Sequence, residues 1–211
     1  MRAGVEALVL DLDGVVILRP PYQAKATADY KRQGLELYAA PTNLVQITRE
    51  IRQSGLGLGE LGAFVFNTMR WVYPDVSRSL SQIKGIDIYG NTGRSNKEAW
   101  VAMTKWQLRM GGVEDRFQDV FFKPKDVETR DSKLGNVAFL LERYSRVRCV
   151  DDNPADLLPI LNKFPEQVEG VLMEDRSTKQ LLARVDRKHY PNLTVVSRFR
   201  DGVQDLILQA V

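Results

Sequence analysis

"LVLDLDGVVIL", residues 8–18, is an apolar run broken twice by acid, at Asp11 and Asp13. Ala7 to Leu10 shows no apolar–polar alternation, which is the pattern of a strand buried on both faces, as in a parallel α/β sheet. The acids follow where such a strand should end, and ligands bind at the carboxyl ends of strands in open α/β sheets. Side chains two apart in an extended segment point the same way, so both carboxylates can face one small volume, and Gly14 permits a sharp turn after them. Carboxylates held that close repel and resist burial, so a bound cation or a shifted protonation state is expected with them.

Similar short apolar runs recur at Ile86–Tyr89, Val120–Phe122, Val147–Val150, Val168–Met173 and Leu193–Val196. Helical spacing lies between several of them: Ala99, Ala102, Met103, Trp106 and Met110, ended by Gly111-Gly112, and then Leu134, Val137, Ala138, Leu141 and Tyr144. Alternating strand and helix predicts an α/β fold with a doubly wound parallel sheet. The stretch 19–85 breaks the rhythm. It begins at Pro20-Pro21 and carries Leu44, Ile47 and Ile51, then Leu61, Phe64, Val65, Thr68 and Val72, at helical spacing. It reads as a helical cap inserted after the first strand, with residues 1–18 and 86–211 forming the core.

A chain of 211 residues, 44% hydrophobic, can bury one substantial core. Thirty Lys and Arg against 27 Asp and Glu leave +3, a mild basicity that permits polyanionic partners without demanding them. The one cysteine, Cys149, cannot form an internal disulfide, no charged-then-apolar leader opens the sequence, and no apolar run approaches the roughly 20 residues of a membrane span. The expectation is a cytoplasmic protein without a membrane partner.

Three further segments carry chemistry. "RCVDDNPADL" puts Asp151 and Asp152 after a strand, with Asn153 as candidate helix cap and Pro154 at the first helical position. An oxygen-rich donor set remote from the single His189 suits Mg²⁺ better than zinc. "IDIYGNTGRSNKEAW" reads as a strand, a Gly/Asn/Thr/Gly loop and a helix opening on the capping-box spacing of Ser95 to Glu98; Thr92, Gly93 and Arg94 would cradle an anion there. "TRDSKLGNVAFLL" offers Lys133 near a helix start, after candidate caps Asp131 and Ser132.

In this order, DLDG, TGR, a lysine at a helix start and VDD, the motifs resemble those of the haloacid dehalogenase superfamily of phosphohydrolases. The resemblance spans nearly all of the core and leaves out the insertion. It implies a Mg²⁺-dependent phosphatase acting through an aspartyl-phosphate on Asp11, with Asp13 as general acid and base and the Thr92 hydroxyl holding the transferred group. Gly93, Arg94 and Lys123 would serve substrate binding. Lys133 matches the lysine that neutralises Asp11 and phosphate; Lys123, in "FFKPKD", competes for that place, and Lys133 is preferred because its helix leads into the VDD strand. Asp152 matches the metal-binding acid, assisted by Asp151 or by Asp156, with Asp11 and the backbone carbonyl of Asp13 completing the site.

The same resemblance implies that a helical cap of this sort selects the leaving group, commonly of a small phosphorylated substrate. The TGR loop and the paired acids are also similar to the phosphatase half of polynucleotide kinase/phosphatases, and Arg49, Arg52, Arg70, Arg184, Arg187 and Lys188 offer either contacts to a nucleic-acid backbone or solvated helix faces. A phosphomutase and a silent phosphate-binding protein are the remaining readings. Trp71, Tyr73, Trp100 and Trp106 read as core or cap-to-core contacts.

Overall fold

The computed structural model describes residues 5–17, 70, 72–174 and 187–208. Six strands form one sheet: β1 (Ala7–Leu10), β2 (Asp87–Ser95), β3 (Asp119–Lys123), β4 (Val147–Asp151), β5 (Val168–Met173) and β6 (Leu193–Val196). Their order is β3-β2-β1-β4-β5-β6 and every pairing is parallel. Among the described residues five α-helices accompany it: α1 (Pro74–Gln82), α2 (Glu98–Met110), α3 (Thr129–Leu141), α4 (Pro154–Lys163) and α5 (Phe199–Leu208).

The strand period of two separates the core into two layers. Leu8 and Leu10 of β1 join Val76 and Leu80 of α1, Leu108 of α2 and Phe199, Val203 and Leu206 of α5. Ala7 and Val9 face the other way, onto Val137 and Leu140 of α3 and Leu157, Ile160 and Leu161 of α4. Helices therefore cover both faces, as apolar runs without clean alternation predict. Cys149 is buried in the second layer. The chain winds outward from β1 toward β3 and from β4 toward β6, so the order reverses between β1 and β4, and at such a switch point open α/β sheets bind ligands outside the carboxyl ends of the strands. No described helix is long and apolar enough to cross a membrane.

Of the expected cap, residues 19–69 and Trp71 lie outside the described residues, as does Leu18. The remainder rejoins the sheet layer: Val72 bridges Ile17, and Val76, Leu80 and Ile83 are buried with β1. Gly111, at the end of α2, makes this junction close. A Cβ built on it lies 2.6 Å from Val72 Cβ, although its φ of −80° suits any residue. Gly111→Ala should therefore act by overlap alone and lower stability by about 1–3 kcal/mol. An unchanged urea midpoint would show that Val72 gives way.

Three local expectations are corrected. β2 continues through Asn91, Thr92 and Arg94 to Ser95, where a loop was expected, because these polar side chains find buried partners there. The capping box does not form: α2 starts at Glu98 after Lys97, while the Ser95 hydroxyl accepts from Lys97 N at 3.4 Å. The buried face of α2 is Trp100, Met103, Thr104, Gln107 and Leu108, leaving Trp106 43% and Met110 55% exposed. The helix turns Thr104 and Gln107 inward because both bind the buried Arg94 guanidinium.

Candidate active site

The backbone ladder positions the first acid. Leu10 pairs with Val150, and the next amide, Asp11 N, donates to Val150 O at 2.8 Å, so Asp11 and Asp151 emerge side by side from adjacent strands. Leu12 returns to the core. Gly14, at φ 103°, takes the left-handed turn that its missing side chain allows, and its N–H donates to Ile17 O.

At the end of β4, Asp151 accepts from Lys133 Nζ at 2.7 Å and from Asn153 N at 2.8 Å. Asn153 caps α4 through Ala155 N, as its place before Pro154 predicts, and its Nδ2 donates to Asp156 Oδ2 at 3.1 Å. Lys133 also lies 3.1 Å from Asp11 Oδ1 and 3.2 Å from Asp156 Oδ2. Asp11, Asp151 and Asp152 are all buried, and one oxygen from each falls within 4.8 Å of the others. If all are ionised, Asp11, Asp151, Asp152 and Asp156 outweigh the single Lys133 charge, and an all-oxygen, negatively charged set is what a hard divalent cation prefers.

The electrostatics carry the same imbalance. Burial, ahead of everything else, raises the Asp11 pKa well above the usual carboxylate value; Lys133 opposes the rise, and Asp151, Asp152 and Asp13 add to it. Burial likewise raises Asp151 against the pull of Lys133. For Lys133 burial works against the charged form, but Asp11, Asp151 and Asp156 outweigh it and hold the ammonium more firmly protonated than a free lysine. The lysine does not start its helix, as the sequence suggested. α3 begins at Thr129, which puts Lys133 just past the first turn. Asn91 of β2 fixes that turn, donating to Lys133 O at 3.2 Å and accepting from Asn136 Nδ2 at 2.9 Å. Lys123 stands apart: its ammonium donates to Val127 O at 2.8 Å and ties down the loop after β3.

Asp13 faces a different set. Arg94 grips it with Nε on Oδ2 at 2.9 Å and Nη2 on Oδ1 at 2.7 Å, while Arg70 Nη1 reaches Oδ1 at 2.6 Å. The Asp13 side chain is 26% exposed and both arginine side chains are 3% exposed, so the carboxylate is the outward end of this network. Arg94, expected at the substrate, is turned inward onto Asp13, Thr104 and Gln107. Thr92 is buried, its hydroxyl accepting from Arg94 N at 3.2 Å, and Gly93 lies against the Thr129 side chain. Thr92 lies within β2 and α2 begins only at Glu98, so the helix-end cradle expected at Thr92 does not form.

Sequence reading missed Asn91, Thr104 and Gln107, and it set Arg70 among candidate surface cations although Arg70 is buried on Asp13. Of the other basic positions named there, Lys188 is exposed, and the side chains of Arg49, Arg52, Arg184 and Arg187 lie outside those described. The signal available for Thr104 and Gln107 was their spacing of three on the helix behind an arginine.

No protein-family model matches the sequence, and no curated protein does. Solved structures do match along nearly the whole chain. An L-2-haloacid dehalogenase from Xanthobacter autotrophicus with chloropropionic acid covalently bound superposes with a TM-score of 0.54 at 13% identity, covering 98% of this chain and 99% of its own. A haloacid dehalogenase-like family hydrolase from Streptococcus pneumoniae gives 0.56 at 9%, covering 95% and 98%. A candidate β-phosphoglucomutase from Thermotoga maritima gives 0.55 at 18%, covering 96% and 98%.

Proposed function

We propose that this chain, which has the fold of the haloacid dehalogenase superfamily, is a Mg²⁺-dependent phosphatase that hydrolyses a small phosphate monoester through Asp11. The observation that carries the reading is the buried trio Asp11, Asp151 and Asp152 with the Lys133 ammonium against it. Displacing a halide from carbon needs no leaving-group proton and no divalent cation. Phosphoryl transfer to a carboxylate brings two anions together, and positive charge must offset that repulsion.

In the first half-reaction an Asp11 oxygen attacks phosphorus and the ester P–O bond breaks. With one oxygen of Asp13 released from its arginine donors and protonated, the leaving oxygen takes that proton, which yields the alcohol and a phosphoryl group on Asp11. Asp13 then takes a proton from water as its oxygen attacks phosphorus, which releases inorganic phosphate and restores Asp11. Lys133 balances the charge on Asp11 and the incoming phosphoryl oxygens, and the Thr92 hydroxyl donates to the transferred group. Asp11, Asp151 and Asp152 would hold Mg²⁺, which supplies further positive charge against the phosphoryl oxygens. Phosphate release from sugar phosphates, nucleotides, phosphorylated acids and 3′-phosphorylated oligonucleotides, with Mg²⁺ and with chelator, tests the reading. Release from none of them would reject it.

Metal binding should also be readable from stability. Asp11 and Asp151 have raised pKa values when folded. Their contribution in the metal-free protein is therefore complete below the unfolded-chain pKa and is lost as pH rises through the folded values. A dication requires both ionised, so its effect runs the other way. Mg²⁺ at a fixed concentration a hundredfold above its Kd at pH 8 should stabilise by about 2.7 kcal/mol there, a Tm rise of several degrees, and by less at pH 6, where binding must displace protons. A shift that is absent, or larger at pH 6, would remove the divalent site.

A further inference from the structure

The network around Asp13 closes on itself. Arg70 Nη1 donates to Asp13 at 2.6 Å, while the Arg70 main-chain carbonyl accepts from Gln107 Nε2 at 3.0 Å. Gln107 Oε1 in turn accepts from Arg94 Nη1 at 2.7 Å, and Arg94 returns to Asp13 through its two-pronged grip. Thr104 steadies the ring, accepting from Arg94 at 2.8 Å and donating to Trp100 O at 2.7 Å. The ring joins four parts of the chain: the turn after β1, the stem of Arg70, Val72 and Tyr73 that bridges Ile17 at Val72, β2 and α2. The stem itself is tied to the β1 turn. Ile17 bridges Val72, Tyr73 N donates to Val16 O at 3.0 Å, and Arg70 Nη2 reaches Ile17 O at 3.4 Å.

Arg94 alone already gives Asp13 a paired, in-plane partner, and charge-assisted forks of that kind are sufficient to hold a carboxylate. A second buried guanidinium on the same oxygen is therefore more than pairing requires. Its attachments are to the stem and the turn. We infer that Arg70 is a positioning residue for Asp13: it sets the carboxylate's orientation toward the leaving oxygen and makes that orientation depend on how the stem is seated beside Ile17. This rests on the phosphatase reading for its effect on turnover, and on the ring alone for its effect on the turn.

The test has two arms. In the first, kcat and KM are measured for Arg70→Ala, Arg70→Lys, Asp13→Asn and the Arg70→Ala/Asp13→Asn double variant, on the best substrate of the panel. Arg70→Ala should lower kcat about tenfold or more with KM within twofold, and Arg70→Lys, which keeps the charge and loses the fork, should recover only part. Added guanidinium should restore Arg70→Ala. The double variant should be no slower than Asp13→Asn, because Arg70 acts through that carboxylate. A loss confined to KM, or losses that multiply in the double variant, would overturn the inference.

The second arm reads the amides of Gly14, Val16, Ile17 and Tyr73 by hydrogen exchange and needs no turnover. Protection should fall in Arg70→Ala and in Asp13→Asn, with no further fall in the double variant; unchanged protection in Arg70→Ala would overturn the link to the stem. If wild type releases no phosphate from any substrate, the phosphatase reading fails, and this arm still decides the inference. Arg70→Lys supplies the same comparison if Arg70→Ala does not fold.

Discussion

Purified Asp11→Asn protein should release no phosphate above background from the substrate that wild type turns over best, a loss of at least about 10⁴-fold in kcat. The amide keeps the volume of the carboxylate and lacks its nucleophilic oxygen. Folding should survive. Burial and the neighbouring acids all oppose the charge on Asp11, so removing it relieves the site, while Lys133 keeps Asp151 and Asp156 as partners. Above neutral pH, metal-free Asp11→Asn should therefore melt at or above the wild-type temperature. An acid quench during turnover should trap labelled phosphate on wild type and none on the variant. Retained turnover in a clean preparation would reject Asp11 as nucleophile.

The second large effect is expected at Lys133. Lys133→Met preserves length and packing but leaves Asp11, Asp151 and Asp156 facing one another without their cation. Removing one partner of a buried ion pair costs about 3–5 kcal/mol, and loss of a charge that stabilises the transition state costs at least about 10²–10³ in kcat. Both stability and turnover should fall, and raised Mg²⁺ should recover part of the stability alone. Lys123→Ala offers the contrast. That ammonium holds a loop carbonyl, so its removal should cost about 0.5–1.5 kcal/mol and change kcat by less than tenfold. Equal losses at the two positions would overturn the assignment of Lys133 to the nucleophile.

The sheet was legible because its central strands are buried on both faces. A run such as Ala7–Leu10 has no polar interruption, and each predicted run overlaps an observed strand. The acids were legible for the complementary reason, since a charge at the end of an apolar run has few structural uses. Asn153 was legible as well, because a helix cap is a local device. What could not be read depends on partners distant in sequence. The apolar stripe of α2 predicts burial of Trp106 and Met110, yet the helix turns Thr104 and Gln107 inward to serve an arginine on another strand. Arg70 looks like any surface cation until Asp13, far away in the chain, is brought against it. Asn91 and Thr92 resemble loop residues because nothing nearby in sequence satisfies them.

The position of β1 bears on the protein's synthesis. Leu8 aligns with Ile88 on one side and Arg148 on the other. Both neighbours are made long after it. At about 5–20 residues per second, the strand carrying Asp11 waits on the order of ten seconds before Val150 exists to pair with Leu10. Through that interval an apolar segment without its sheet partners is a target for holding chaperones and for aggregation. The acidic trio comes together only when β4 docks on β1, so a truncated or stalled chain that ends before Asp151 carries Asp11 without the acids beside it, and on the proposed reading it should be inert.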